Sequence, residues 1–170
     1  MNQRSATPEG LTEDMLALVV SRQTLQLATV NQEGEALASY APFVPGENGE
    51  FFVFLSALAA HTRNLTLHPQ ASLLFIEDES EASNLFARRR VSLSCTAGRL
   101  ARADQAFFPT MMQFRRQFGA IIDTLIELPD FDLFVLVPTQ GTFIRGFGEA
   151  YPVAQGRVLS AAPRRPVAQK

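Results

Sequence analysis

Apolar and polar positions along this chain change period repeatedly, and each change marks an element boundary. Leu11, Met15, Leu18 and Val19 recur at helical spacing. They predict a helix over residues 13–20, with Thr12 at its N-cap and Glu13 and Asp14 beside the positive end of the dipole. Residues 24–30 and 35–43 then read as two strands joined by a turn at 31–34 that ends in glycine. After a second turn at 45–49, residues 51–55 make a third strand, rich in aromatic and branched side chains. Ser56 is placed to cap a helix over 57–67, with Leu58 and Leu65 a heptad apart on one face. His68-Pro69 closes it, because proline disfavours helix in the residue before it. Residues 72–76 make a fourth strand. Residues 91–98 alternate cleanly, with Val91, Leu93, Cys95 and Ala97 on one face and Ser92, Ser94 and Thr96 on the other. That is the mark of a strand with one face in a core. Phe107, Met111, Phe114 and Phe118 fall at helical spacing behind a capping Asp104. Pro109 belongs in a first turn, where its missing N–H is no loss. Gly119 ends or bends this helix, and 120–128 is helical again. Residues 131–137 and 141–147 read as two strands around a turn at Pro138-Thr139-Gln140. Phe131, Leu133, Val135 and Val137 face one way and Phe134 and Leu136 the other. The first of these strands is therefore buried on both sides, by a barrel interior on one and by a helix or second subunit on the other.

Six or seven strands in antiparallel hairpin order, with helices after the third and fifth, give a mainly β member of the α+β class. The expected architecture is a small antiparallel barrel with flanking helices. Residues 1–11 are expected to be disordered, 12–153 to form one domain, and 154–170 to be a flexible tail. A length of 170 residues suits one domain with a proper core. The content of 14 Phe with no Trp makes that core phenylalanine-rich. A formal net charge of −2 gives no reason to expect nucleic acid or an anionic membrane as partner. No apolar run approaches the roughly 20 residues that cross a bilayer. One cysteine, Cys95, and a polar start unlike a signal segment point to a reducing, cytoplasmic setting.

The chemistry-bearing motifs are few. There is no Ser-His-Asp order, nucleophile elbow, phosphate loop or G-x-G-x-x-G. His61, His68 and Cys95 are the only His and Cys, which gives no metal centre. Asp130 and Asp132 read as solvated carboxylates at a strand end. Ser56, His61, Thr62 and Arg63 lie at or near a helix start, where free N–H groups and the dipole favour an anion. The plainer reading is a capped surface helix, and the residues alone leave both open. Arg88, Arg89 and Arg90 are consecutive, and strand geometry would put Arg88 and Arg90 on one side and Arg89 on the other. They form either a charged shoulder that discourages edge pairing or a group that recognises phosphate or carboxylate.

Together these residues resemble, over residues 12–150, the FMN-binding split barrels of the pyridoxamine-5′-phosphate-oxidase-like superfamily. Ser39-Tyr40-Ala41-Pro42 matches the family's strand along the flavin ring, and Leu55-Ser56 matches the strand end that follows. His61-Thr62 stands in the place of the family's phosphate-gripping pair. H-P-x-x-S-L-L-F (68–75) matches N-P-x-x-S-L-L-F, and Arg90 falls where the family places a flavin-contacting residue that the partner subunit can supply. Within the superfamily, S-A-L-A-A-H-T-R-N-L (56–65), F-A-R-R-R-V (86–91), D-F-D-L-F-V-L-V-P (130–138) and G-F-G-E-A (146–150) are similar to the haem-utilisation branch.

The resemblance implies a homodimer with a small-molecule ligand at the subunit interface. Its first expectation is FMN in a flavin-dependent oxidoreductase. Ser56, His61, Thr62 and Arg63 would hold the phosphate. Ser39, Tyr40, Ala41 and Pro42 would line the ring beside Leu55, and Arg88 or Arg90 would reach across the interface. The alternative is haem, bound for breakdown or storage. Haem binders of the branch place the iron-ligating histidine after the barrel. No histidine follows His68 in this sequence, and His61→Ala should abolish ligation if His61 has been recruited for it. A third expectation is a non-catalytic dimeric ligand binder.

Overall fold

The structure is a computed structural model that describes residues 7–163. Six strands build an antiparallel barrel: β1 (Thr24–Val30), β2 (Ala36–Pro45), β3 (Phe51–Ser56), β4 (Gln70–Ile76), β5 (Arg90–Leu100) and β6 (Phe131–Gly146). Their order is β3-β2-β1-β4-β5-β6, and β3 pairs with β6 to close the ring. β7 (Glu149–Ala154) and the short β8 (Arg157–Val158) extend the sheet beyond β6. Helix α1 (Pro8–Val20) precedes the barrel, and α2 (Ala60–Leu67) links β3 to β4. α3 (Phe107–Phe118) and α4 (Ile121–Glu127) link β5 to β6. This is the mainly β antiparallel barrel with flanking helices that the alternation implies, and the split barrel that the resemblance implies.

The two apolar faces of β3 and β6 have separate destinations. Phe51, Val53 and Leu55 join Phe134 and Leu136 in the barrel interior. Phe52, Phe54 and Leu133 join Phe107, Met111, Phe114 and Ile122 of the two helices. Helices α3 and α4, not a second subunit, therefore cover this outer face. Inside the barrel Phe43, Phe51 and Phe75 meet with ring centroids 5.0–5.8 Å apart. Burying each such side chain contributes about 1.5–3 kcal/mol.

Several boundaries depart from expectation. Helix α1 starts at Pro8, with Thr7 as N-cap accepting the Gly10 N–H at 3.1 Å. Thr12 lies inside the helix and returns its hydroxyl to the Pro8 carbonyl at 2.8 Å. Residues 8–11 are thus ordered, and Leu11 is in the core; residues 1–6 lie outside the described residues. At the other end β8 pairs with β7, and the Val158 N–H donates to Thr12 Oγ1 at 3.0 Å. Folded structure therefore continues past 153 into the expected tail, while 164–170 lie outside the described residues. The helix after β3 starts at Ala60, and Leu58, expected on its buried face, is 81% exposed.

The expected turn at 138–140 is not a turn. β6 runs straight through it, and β5 pairs along both halves. Ser94 faces Gln140 and Cys95 faces Pro138, so Thr139 is the extra residue of a bulge. Its hydroxyl donates to the Ser94 carbonyl at 3.1 Å. Proline's missing N–H sits where the ladder is already interrupted, which is where a strand tolerates it.

Candidate functional site

β3 ends at Ser56, opposite Phe131 of β6, and the chain turns a tight shoulder into α2. Ser56 does not cap that helix; the N-cap is Ala59, which makes no side-chain bond. Instead its hydroxyl accepts the Leu58 N–H at 3.2 Å and donates to Asp130 Oδ2 at 3.0 Å. The Ala57 N–H also donates to the Asp130 carbonyl at 2.6 Å. Thr62 is buried and gives its hydroxyl to the Ser56 carbonyl at 2.6 Å. Arg63 is exposed and donates to the Leu58 carbonyl at 2.8 Å. Asp130, expected to be merely solvated, ties the two strand ends together. Nothing local in the sequence points to this, because Ser56 and Asp130 are 74 residues apart.

His61, second residue of α2, turns back onto β2. Its Nδ1 is 3.1 Å from Ser39 Oγ, and Ser39 Oγ donates to the Leu27 carbonyl at 3.0 Å. Burial holds its pKa below the ordinary 6.5, so the ring is neutral at neutral pH. Among the described residues Gln113 Oε1 is the one buried polar side-chain atom left without a partner. His61 Nε2, which has no partner there either, is therefore not sealed inside the protein.

The four residues expected along a flavin ring divide between two faces, as successive strand positions must. Ala41 is 1% exposed and Tyr40 67%. Ser39 and Ala41 share the inward face; Tyr40 and Pro42 point away. Leu55 is sealed in the barrel.

The three arginines also part company. Strand β5 begins at Arg90, so the alternation expected for Arg88 does not apply to it. Arg88 donates to the Glu77 carbonyl and pairs with Glu79 at 3.2 Å. Arg89 takes the Glu77 carboxylate with its backbone N–H at 2.7 Å and its side chain at 3.1 Å. Arg90 donates to the Arg88 carbonyl at 2.9 Å and has no carboxylate partner among the described residues. Across the sheet Ser39 lies opposite Leu27, then Leu73, then Leu93. Arg90 is three residues further along β5. Strand spacing and rise put it roughly 14 Å across and 10 Å along from Ser39. Within one chain His61 and Arg90 do not meet.

A phosphate would find little here. The Ser56 and Thr62 hydroxyls are committed, His61 is neutral, and the Asp130 carboxylate would repel a dianion. An uncharged imidazole with an open Nε2 suits a metal-borne ligand instead.

The family model described as pyridoxamine 5′-phosphate oxidase matches residues 11–145. A protein named heme oxygenase HutZ, from Vibrio cholerae serotype O1, is 47% identical over 133 residues, spanning 78% of this chain and 75% of that protein. A crystal structure of HutZ from Vibrio cholerae, described there as a heme storage protein, matches with a TM-score of 0.73 at 43% identity. That match spans 78% of this chain and 92% of that one. Campylobacter jejuni ChuZ matches with a TM-score of 0.80 at 30% identity, over 95% of this chain and 68% of that one. On these matches, the chain belongs to the pyridoxamine 5′-phosphate oxidase family, in the branch that contains HutZ.

Proposed function

We propose that this chain binds haem in haem utilisation, as a homodimer holding the ligand at its seam, with His61 facing the iron. The observation that carries this reading is the neutral, half-buried His61 with an open Nε2, on a shoulder whose hydroxyls are already bonded within the protein. The Vibrio cholerae relative HutZ, which matches over 78% of the chain, is named for heme, and this favours haem over the FMN first implied by the resemblance. Among the described residues no three His, Cys, Asp or Glu side chains gather as metal ligands. A porphyrin brings four nitrogens of its own, so one protein donor is enough.

Bound haem would supply an iron centre, either as cargo or for reaction with oxygen. The chain's own part is to present Nε2 and to anchor the propionates. Arg90, with no carboxylate partner among the described residues, is suited to a propionate. Because it lies far from His61 in its own chain, the reading has a second copy bring it to the site. Leu58, Tyr40 and Phe86 are 81%, 67% and 91% exposed, apolar surface that a second copy would cover.

The test is a titration with haemin, followed by the Soret band, beside a parallel titration with FMN. Saturable haemin binding is expected, weakened at least about tenfold, or about 1.4 kcal/mol, by His61→Ala. FMN is expected to leave the melting temperature unchanged, since a ligand that does not bind the native state does not stabilise it. A weak, non-saturating haemin response together with a rise in melting temperature on FMN would overturn the proposal. Adding a reductant and oxygen then separates the two fates: the Soret band decays for breakdown and persists for storage.

A further inference from the structure

We infer that Ser39 is a positioning residue, which holds His61 in its Nδ1–H tautomer so that Nε2 presents an unprotonated electron pair to the ligand. The inference rests on the haem reading only for the identity of that ligand.

The argument is one of proton counting. A serine hydroxyl has one proton to give and two lone pairs. The Leu27 carbonyl, 3.0 Å from Ser39 Oγ, can only accept, so both contacts of that hydroxyl are hydrogen bonds only if its proton goes to the carbonyl. Ser39 Oγ then faces the imidazole with lone pairs alone. Its 3.1 Å contact with His61 Nδ1 is a hydrogen bond only when Nδ1 carries the ring proton. In a neutral imidazole the second nitrogen is then bare. In the opposite tautomer, which predominates in free histidine, the one hydroxyl proton could serve Nδ1 or the Leu27 carbonyl but not both, so one of the two bonds would be lost.

The frame that imposes this choice is rigid. Leu27 is 1% exposed, and Ser39 is its direct partner in the β1–β2 ladder. The carbonyl, the hydroxyl and the ring are thus placed by a strand pair and a helix start. Such a partner behind a ligating histidine orients the ring and sets its basicity. Serine is a neutral acceptor, so it fixes the tautomer without the strong polarisation that a carboxylate would add.

The tautomer is readable in the ligand-free protein. His61 and His68 are the only two histidines, so long-range proton–nitrogen spectra hold two ring systems, and His61→Ala assigns them. Above the titration range, the expected result is a protonated Nδ1 and a pyridine-like Nε2 at His61. Ser39→Ala should move the ring toward the Nε2–H form, and Ser39→Thr, which keeps an oxygen and suits a strand, should restore it. Haemin affinity should fall about 10–100-fold in Ser39→Ala, the usual cost of removing such a partner, and recover in Ser39→Thr. An Nε2–H or averaged tautomer in the unsubstituted protein overturns the inference even if Ser39→Ala fails to fold, and leaves a positive haemin titration standing. An Nδ1–H tautomer in a protein that does not take up haemin supports the role of Ser39 and sinks the haem reading instead.

Discussion

Burial and hydrogen bonding act on different properties of His61. Burial disfavours the charged ring and so sets its charge, whereas the bond to Ser39 acts on where the remaining proton sits. The first effect has a pH signature. The folded-state pKa lies below the ordinary 6.5, so between the two values the unfolded chain binds more protons. Stability therefore rises with pH across that window. The contribution is fully present above 6.5 and is lost as pH falls through the folded value. Melting curves of the ligand-free protein and of His61→Gln, taken from about pH 7 to about pH 5, should converge as the pH drops. Parallel curves would show that burial does not act on this ring. At this scale the sequence marked His61, Thr62 and Ser56 by their place near a helix start. It could not show that the Thr62 hydroxyl is spent on the Ser56 carbonyl, or that Ser39, 22 residues away, meets the ring. Those contacts are made by the fold, not by spacing.

Among the elements, β6 is where local and long-range preferences disagree. Pro138-Thr139-Gln140 has turn chemistry, yet the strand continues because β5 offers an unbroken partner on both sides of the bulge. The alternation of β5 over 91–97 was legible, since Val91, Leu93, Cys95 and Ala97 face the core and Ser92, Ser94 and Thr96 face away from it. The two-sided burial around Leu133–Leu136 was legible too, but a sequence cannot say that α3 and α4 are what cover the outer face. Just past the bulge, Gly141 lets β6 lie close to β5. A Cβ there would fall 2.2 Å from the Ser92 carbonyl oxygen, a backbone atom with little room to move. Gly141→Ala should destabilise the protein by about 1–3 kcal/mol, as overpacking does. Thermal unfolding should show a drop of roughly 2–4 °C for each kcal/mol in a chain of this size. An unchanged melting temperature would mean that the two strands are not held this closely.

For the whole molecule, the barrel is specified many times over, by alternating strands, phenylalanine packing and helices that seal the outer face of β3 and β6. The candidate site is not specified in that way. Its shoulder and histidine lie on one part of the chain and Arg90, with no carboxylate partner among the described residues, on another, three strands from Ser39 in sheet order. Their separation within one chain explains why consecutive motifs could suggest the site without showing its geometry. Among the described residues no helix is long and apolar enough to cross a membrane.

A native mass spectrum of the protein incubated with equal amounts of haemin and FMN tests ligand and assembly together. The account predicts a species at twice the chain mass that carries haem and no FMN. A monomer, or a dimer that carries FMN in place of haem, would contradict it.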